Sequence, residues 1–595
     1  MYLYGANFVI SIRKNDKSLT MNLKTKTFYL PLLLLFTLTL QSQSSAITID
    51  GLFDDWDASL TTYTDTNTAI SGVDFIELQV TNDDEFLFIK IKANIEFDLT
   101  DNLIAQQVRL FLDTDNNADT GYSIQTGYGS EVGIIFKELF AHYNVSPYSE
   151  IDFASLKLRA APTVTSKEFE IAIGRHQIPD GINPLFTSPT LKILLKNDEN
   201  SDKIPNEGLT FSYTFDNTPV TPYTPIDIIK SNASDIRLLA YNTLFNGLDD
   251  TDRVDNFEHI IKAISPDVVG LTECWDTSAA HVKSLFDTWF PLGTAHGWYA
   301  EKLGGLITVS RWEIIQQWTS LTRQFPVLID LPSTYPTDLL FTNAHLNCCD
   351  ADDLRQDQGD QYAAFILDAK SPGGIITLAE NTPFMYSGDL NLVGYSQQLT
   401  TLKTGDIQNT ATYGTGALLD WDDTALKEEN CLQTELRMAY TWRSDNEGFP
   451  PGKLDFIIFS DYTLTAQKSF VLQTEVMPDE RLSLYNLNAF DTGSASDHFP
   501  VVADFSINTN LSTVPFTLAE STMYPNPAKG LVHIDLKTSN TYTIRVLNTF
   551  GTILMTRSID SKSTVLNLES FPSGFYLISI QNAEGDKVIH KLIKN

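Results

Sequence analysis

Short runs in which hydrophobic and polar residues alternate fill the chain from residue 47 to residue 216. The runs FIELQV, FLFIKIKA, VRLFLD, FEIAIG and LKILLK follow one another, with Asp, Asn and Gly between them. Alternation with a period of two turns one face of each strand towards a core, and the small polar residues mark turns. The pattern predicts an antiparallel β-sandwich over 47–216. The proline-containing segment TPVTPYT then predicts a linker over 217–235.

From residue 236 to residue 505, apolar runs of strand length alternate with helical periodicity. The runs are IRLLAYN, DVVGLTE, FTNAHLN, SGDLN, LDFIIFSD and SASDHFPVV, and each carries a polar residue at an end or edge. Between them, a helical face formed by Phe257, Ile260, Ile261 and Ile264 precedes a proline. We predict an α/β domain whose strands present one polar set to a cleft: Asn242, Glu273, His345, Asp389, Asn391, Asp455, Asp497 and His498.

The first 46 residues have the pattern of an export signal. Two lysines precede an apolar stretch from Phe28 to Leu40, and small polar residues follow it. This order is typical of a secretory signal peptide, and the stretch is too short to span a bilayer. We interpret 1–46 as an over-extended start followed by a signal peptide, with Met21 as the true first residue.

Charge and cysteine content narrow the function classes. The 595 residues carry a formal net charge of −34, which argues against a protein that coats polyanions through a basic surface. A nuclease is not excluded, because a metal ion in a cleft supplies local positive charge. No CxxC pair occurs, so zinc spacing is absent, and both a disulfide and buried thiols remain open. The cysteines are Cys274, Cys348, Cys349 and Cys431.

The order of polar residues in 236–505 resembles the endonuclease/exonuclease/phosphatase superfamily, which includes deoxyribonucleases, sphingomyelinases and inositol-polyphosphate phosphatases. The resemblance implies a four-layer α/β sandwich, with two packed β-sheets flanked by helices. It also implies phosphoester hydrolysis with Mg²⁺ or Mn²⁺, cations that prefer oxygen ligands. It assigns the metal to Glu273, with support from Asn242 and with Asp497 on the metal side.

The same resemblance assigns the proton chemistry. His498 is the general base, and Asp455 holds its tautomer. Asp389 orients or activates water, or protonates the leaving group, while Asn391 contacts phosphate. If SGDLN is extended, these two side chains point to one face. His345 donates to a non-bridging phosphate oxygen. The sequence has no GxSxG motif, which would indicate a serine hydrolase instead.

Three residues are weaker candidates for substrate binding. Arg355 begins a predicted helix and either reaches the cleft or lies on a solvated helix face. Trp442 and Arg443, in YTWR, fall where relatives carry a substrate-side loop.

The segments ITIDGLFDDWD and LFLDTDNNADTGY resemble family-nine carbohydrate-binding modules, which implies a polysaccharide ligand for the sandwich. Asp113, Asp115, Asn117 and Asp119 present oxygens at alternate positions, as a calcium loop does. A plain acidic hairpin turn explains the same pattern. No array of tryptophans marks a sugar-binding platform, so the ligand stays open.

After a linker at 506–515, short strands predict a second small β-sandwich over 516–595. The YPNP start, the SGFY hairpin and the terminal lysines resemble the type A sorting domain of the Bacteroidetes type IX secretion system. The resemblance implies export across the outer membrane by that machinery and release or attachment at the cell surface.

Together these features predict a secreted, monomeric phosphodiester hydrolase, with extracellular DNA or RNA as the first substrate. A phospholipid or a sugar or inositol phosphate is the alternative substrate. A second alternative is a secreted binding protein whose nuclease-like domain is inactive, although an inactive copy has no physical reason to keep the whole polar set.

Overall fold

The computed structural model describes residues 46–65, 71–100, 107–374, 376–508, 521–536, 541–548, 553–582 and 587–595. All of these lie in one compact unit, residues 44–595. The predicted signal peptide lies outside the described residues except for Ala46. Of the predicted linker at 506–515, only 506–508 are described.

The alternating runs of the first region form strands of two antiparallel sheets. Their core is the apolar face of each strand, with Leu78, Ile89, Leu110 and Ile193 fully buried. One sheet has the order β1-β2-β3-β9-β8, and the other has β11-β10-β4-β5-β6-β7 with β12 also paired to β10. The strands are β1 (Thr61–Thr64), β2 (Phe75–Asn82), β3 (Phe86–Phe97), β4 (Val108–Asp113), β5 (Val132–Ile135), β6 (Phe140–Tyr143), β7 (Ser149–Ile151), β8 (Arg159–Ala161), β9 (Ser166–Gly174), β10 (Thr190–Asn197), β11 (Lys203–Ile204) and β12 (Ser212–Thr214).

The central region contains two mixed sheets of six strands each. Their orders are β15-β16-β14-β13-β24-β23 and β17-β18-β19-β20-β22-β21. The strands are β13 (Ile236–Asn242), β14 (Val268–Thr272), β15 (Tyr299–Leu303), β16 (Leu306–Ser310), β17 (Ile314–Gln317), β18 (Gln324–Ile329), β19 (Leu339–His345), β20 (Phe384–Asp389), β21 (Lys427–Glu428), β22 (Asp455–Phe459), β23 (Leu464–Val471) and β24 (Val501–Ile507).

Helices cover the outer faces of these sheets, and apolar residues fill the space between them. Leu238 and Phe341 belong to a core shared by both sheets. Phe257 and Ile260 pack against the first sheet, and Tyr362 and Ile366 against the second. The helices are α1 (Val254–Ile264), α2 (Ala279–Trp289), α3 (Asp352–Lys370), α4 (Ser396–Thr404), α5 (Thr410–Tyr413), α6 (Asp479–Tyr485) and α7 (Asp491–Ala495).

The C-terminal region forms two small antiparallel sheets around a core of its own. Their orders are β25-β26-β29 and β28-β27-β30-β31. The strands are β25 (Ser521–Tyr524), β26 (Leu531–Leu536), β27 (Tyr542–Leu547), β28 (Ile553–Ile559), β29 (Ser563–Asn567), β30 (Gly574–Asn582) and β31 (Lys587–Lys594).

The first residues of the sandwich region pack on the central region rather than in the sandwich core. Ile49 pairs with Met438, and Ile47 and Trp56 join the core between the central sheets. Thr163 donates its hydroxyl to the carbonyl oxygen of Leu392 at 2.7 Å. The two regions therefore share a packed junction, which the period of the strands does not indicate.

Candidate active site

The ends of β13 and β14 bring the first two polar residues together. These strands are parallel, and Asn242 pairs with Thr272, the residue before Glu273. Glu273 leaves the strand with φ of 59°, a left-handed conformation. The Asn242 amide donates to Glu273 Oε1 at 3.1 Å, and the Phe245 backbone N–H donates to Glu273 Oε2 at 2.9 Å. The Glu273 carboxylate is thus fixed at the sheet edge.

The second sheet brings His345 next to Asp389, because these residues are register partners at the ends of β19 and β20. Gly388 precedes Asp389 in β20 and pairs with Ala344 of β19, and its φ is 140°. A Cβ atom there would lie 2.0 Å from the Ala344 carbonyl oxygen. A side chain at this position would push the strands apart, so glycine is required for the approach.

Asp389 is the centre of the cluster. Its Oδ2 accepts a hydrogen bond from the Asn242 amide at 2.9 Å. The same oxygen lies 3.4 Å from His345 Nε2 and 3.7 Å from His498 Nε2. Burial raises the pKa of Asp389 to about 7, although the neighbouring His498 opposes that shift. Three polar residues, contributed by both sheets, therefore converge on one carboxylate oxygen.

His498 is paired with Asp455. His498 Nδ1 lies 2.8 Å from Asp455 Oδ2, which also accepts from the Thr441 hydroxyl at 2.7 Å. Burial alone would lower the pKa of His498, but the carboxylates of Asp455 and Asp389 outweigh burial and raise it to about 10. This geometry fixes the ring and stabilises its protonated form.

His345 has the opposite electrostatic environment. Burial, with the positive charges of Arg323 and His498, lowers its pKa to about 3. The Trp275 ring lies 5.9 Å from the imidazole, and Arg323 lies 5.5 Å from that indole. A neutral imidazole at neutral pH donates or accepts a hydrogen bond without adding charge.

The oxygen atoms at the cluster fit a hard divalent cation. Ligand atoms of Glu273, His345 and Asp389 lie within 4.8 Å of one another, and so do those of Asp389, Asp455 and His498. Mg²⁺ is usually bound through one or two carboxylates and keeps several of its waters. Asp497 belongs to neither group: its Oδ2 accepts from the Trp442 indole at 3.0 Å.

Two expectations about side-chain direction are wrong. β20 ends at Asp389, and Asn391 has φ of 48°, so the segment is not extended. The Asn391 amide donates to the Leu346 carbonyl at 3.2 Å and lies beside the cluster as a buried group. Arg355 is fully buried and donates to Asp352, Gln398 and two backbone carbonyls, so it reaches neither the cleft nor solvent.

The four cysteines are free thiols. Cys274 and Cys431 are buried, and burial raises the pKa of each thiol to about 12. The cysteine content left both a disulfide and free thiols open. In the structure the thiols are free, and no disulfide joins these segments.

The acidic loop of the sandwich differs in its members from the predicted calcium loop. Ligand atoms of Asp113, Asp115 and Glu131 lie within 4.8 Å of one another. Asn117 and Asp119 are outside this group, and their backbone N–H groups are bound to side chains of the loop. Lys192 lies 2.9 Å from Asp113 Oδ2. Calcium here remains a prediction.

Four residues that support the cluster are marked only weakly, or not at all, by the local sequence. Thr441 and Ser496 neighbour Trp442 and Asp497 in the chain, and the Ser496 hydroxyl donates to the Asn242 carbonyl at 2.8 Å. Trp275 lies two residues after Glu273, whereas nothing local marks Arg323, whose guanidinium donates to the His345 carbonyl.

Residues 239–498 match the family model described as Endonuclease/Exonuclease/phosphatase family. The match spans the strands that carry the whole cluster. It identifies a hydrolase that acts on phosphoester bonds, and enzymes of this family generally depend on divalent metals.

Residues 522–595 match the Secretion system C-terminal sorting domain. This tail indicates a secreted or cell-surface protein. Within the described ranges, every helix is too short or too polar to cross a membrane.

No curated protein matches this chain. Among solved structures, an endonuclease/exonuclease/phosphatase from Beutenbergia cavernae is 14% identical, with a TM-score of 0.28, covering 60% of this chain and 100% of its own. TDP2 from D. rerio, complexed with a single-strand DNA product, is 14% identical, with a TM-score of 0.29 and coverage of 46% and 99%. A mutant beta toxin from Staphylococcus aureus with bound magnesium ions is 14% identical, with a TM-score of 0.28 and coverage of 45% and 99%. Likenesses this distant carry no argument about substrate.

Proposed function

We propose that the chain is a secreted, divalent-cation-dependent phosphodiester hydrolase that acts first on nucleic acid. The observation that carries the proposal is the convergence of Asn242, His345 and His498 on Asp389 Oδ2, with Asp455 behind His498. Such a set supplies a proton acceptor, a proton donor and neutral hydrogen-bond donors around one position, as phosphoester hydrolysis requires. We take the central domain to be the four-layer sandwich of the family.

The proton transfers follow from the two shifted groups. His498 Nδ1 faces Asp455, which leaves Nε2 on the side of Asp389. At neutral pH the pKa of about 10 keeps His498 protonated, so Nε2 acts as the base only when a cation at Glu273 lowers that pKa by charge repulsion. Nε2 would then accept a proton from the attacking water, and the Asp455 carboxylate stabilises the resulting imidazolium. Asp389, whose pKa is raised to about 7, can hold a proton near neutral pH and deliver it to the leaving oxygen.

The carboxylate of Glu273, with Asn242 beside it, would hold the cation. When bound, a divalent cation neutralises phosphate charge and lowers the pKa of water. The neutral Asn242 and His345 side chains contribute hydrogen bonds to phosphate oxygens without adding negative charge.

An exposed aromatic residue favours nucleic acid among the substrates. Trp275 is 43% exposed, and its ring lies 5.9 Å from His345. An indole at the rim of a phosphoesterase site suits stacking on a base, which is sequence-tolerant. A phospholipid, a sugar or inositol phosphate, and a purely binding role are the other outcomes of the test.

The test is hydrolysis by the full chain of plasmid DNA, RNA, sphingomyelin, inositol phosphates and bis(4-nitrophenyl) phosphate, with magnesium and with chelator. His498→Ala is the inactivating variant. His259→Ala is its matched control, because His259 also faces a carboxylate, Asp491, at 3.2 Å but lies outside the cluster.

Magnesium-dependent nicking of plasmid that is lost in His498→Ala and kept in His259→Ala supports a nuclease. Cleavage of only the lipid or only the small phosphate esters would replace nucleic acid with that substrate. No turnover of any substrate would leave a binding protein with an inactive domain.

A further inference from the structure

A pocket of about 420 Å³ lies at the junction of the sandwich and the central region. It is separate from the cluster around Asp389. The sandwich contributes four of its lining residues and the central region two: Asp152, Ala154, Ser155, Arg159, Arg443 and Asp445.

Arg159 is a buried cation without a counter-ion. It is 8% exposed, and its Nη1 donates to the Leu158 carbonyl at 2.8 Å. The Nε atom of Arg159 is buried without a hydrogen-bond partner, and the Arg159 side chain makes no ion pair with any carboxylate in the described ranges. A buried charge that is neither paired nor fully hydrogen-bonded destabilises the fold, and an anion in the pocket would remove that penalty.

Arg443 is held in a similar way on the other side of the pocket. The Arg159 guanidinium lies 5.2 Å from the Tyr440 ring, and the Arg443 guanidinium lies 5.9 Å from the Phe499 ring. The two rings are 5.9 Å apart and nearly perpendicular, at 66°. Contact with a ring face orients a guanidinium and leaves the N–H groups in its plane able to bind an anion.

The acidic lining residues do not neutralise the pair. Asp152 Oδ1 accepts from the Ser155 backbone N–H at 2.7 Å. Asp445 lies 3.3 Å from Arg443, but its side chain is 63% exposed. An exposed ion pair of this kind contributes little and is readily exchanged for a better anion.

The pocket adjoins the candidate active site through the backbone. The Arg443 backbone N–H donates to the Asp497 carbonyl at 2.9 Å, and Trp442 forms an isolated antiparallel β-bridge with His498. Phe499, which supports Arg443, directly follows His498. The arginine pocket is therefore held by backbone contacts to the segment that carries Asp497 and His498.

We propose that this pocket is a phosphate subsite, in which Arg159 and Arg443 bind a substrate phosphate other than the one that is cleaved. The subsite rests on the phosphodiesterase function proposed above and deepens it. The sandwich domain then contributes to substrate choice, because it favours a chain of several phosphates over a single phosphodiester.

The test compares two substrates of the full chain at low salt: a tetranucleotide and bis(4-nitrophenyl) phosphate, which has no second phosphate. For Arg159→Gln/Arg443→Gln, the ratio of the KM for the tetranucleotide to the KM for the small ester rises about 10- to 100-fold, the range for lost hydrogen bonds between charged groups. Arg437→Gln is the matched control, since Arg437 also lies 5.2 Å from a tyrosine ring, that of Tyr223, but outside the pocket. For Arg437→Gln, we expect the ratio of the two KM values to equal that of the wild type.

An unchanged ratio in the double variant overturns the subsite. Thermal melting checks the fold of each variant. If the double variant is unfolded, Arg443→Gln alone decides, because this side chain is 22% exposed and its loss leaves no buried cavity. A ratio at least threefold above wild type then supports the subsite, and a smaller change overturns it.

A binding measurement in the presence of chelator separates failure of the subsite from failure of the proposed function, because binding does not require hydrolysis. If the wild type cleaves nothing, calorimetry with the same tetranucleotide measures the pocket directly. Binding by the wild type and by Arg437→Gln that is lost in the double variant retains the anion site. Equal binding by all three, or none, overturns it.

Discussion

Replacing Asp455 with Asn removes the negative charge behind His498 and keeps the size of the side chain. Asp455 and His498 are 1% and 5% exposed, and His498 Nδ1 is 2.8 Å from Asp455 Oδ2. Both the imidazole and the Thr441 hydroxyl direct their donors to this one oxygen. An amide that turns its NH₂ group to them loses both hydrogen bonds, and one that turns its oxygen to them still carries no charge.

The expected loss of activity follows from the distance between His498 Nδ1 and Asp455 Oδ2. A pair of unit charges near this separation is worth about 4–6 kcal/mol at an effective dielectric constant of about 20. Each 1.4 kcal/mol of lost transition-state stabilisation is about tenfold in rate. If the imidazolium forms during the reaction, kcat/KM falls roughly 10³- to 10⁴-fold in Asp455→Asn.

The assay is kcat/KM for bis(4-nitrophenyl) phosphate at saturating magnesium, with chemical denaturation as the check on folding. Asp420→Asn is the matched control. Asp420 is a fully buried aspartate of the same domain that accepts from the Trp421 N–H at 2.7 Å, remote from the cluster. It is expected to lower stability without a specific loss of activity per folded molecule. A folded Asp455→Asn protein within tenfold of wild-type activity would refute the proton transfer to His498.

Three further predictions concern the cation, pH and the core. In Glu273→Gln, the magnesium concentration for half-maximal activity rises at least about tenfold, because one anionic ligand is lost, and a magnesium titration of the hydrolysis rate measures it. Burial raises the pKa of Glu170 to about 8 from 4.5, so its contribution to stability is complete below pH 4.5 and is lost as pH rises towards 8. Unfolding titrations over that window should show the free energy of unfolding falling by up to about 1.4 kcal/mol per pH unit from this group, and Glu170→Gln should flatten the curve. In Asp504→Ala, the buried Arg237 loses its partner at 2.6 Å, and the free energy of unfolding in urea drops by about 3–5 kcal/mol; a loss below 1 kcal/mol would contradict this reasoning.

The strands and the amphipathic helix were predictable because they depend on local periodicity. FIELQV and LKILLK lie in β2 and β10, and the predicted helical face is buried in α1 from Val254 to Ile264. The order of polar residues at strand ends was also enough to indicate phosphoester chemistry, and the family match over 239–498 agrees with it.

Side-chain direction was less predictable, because it depends on backbone conformation after a strand ends. An extended SGDLN segment would place Asp389 and Asn391 on one face, but the strand ends at Asp389 and Asn391 has a left-handed conformation. Arg355 illustrates a second limit. Its charge suggested an exposed or cleft position, whereas four hydrogen bonds made inside the domain allow its complete burial.

The sequence by itself indicated the periodic strands and the amphipathic helix, the phosphoester chemistry and the export tail, since each depends on a local pattern or motif. Only the tertiary structure decided which of those residues meet. Asn242 and Asp389 are 147 positions apart and hydrogen-bonded at 2.9 Å, and the pocket of Arg159 and Arg443 joins two regions separated by a linker. Such contacts depend on sheet register, on the close approach permitted by Gly388 and on packing between domains, none of which has a period along the chain.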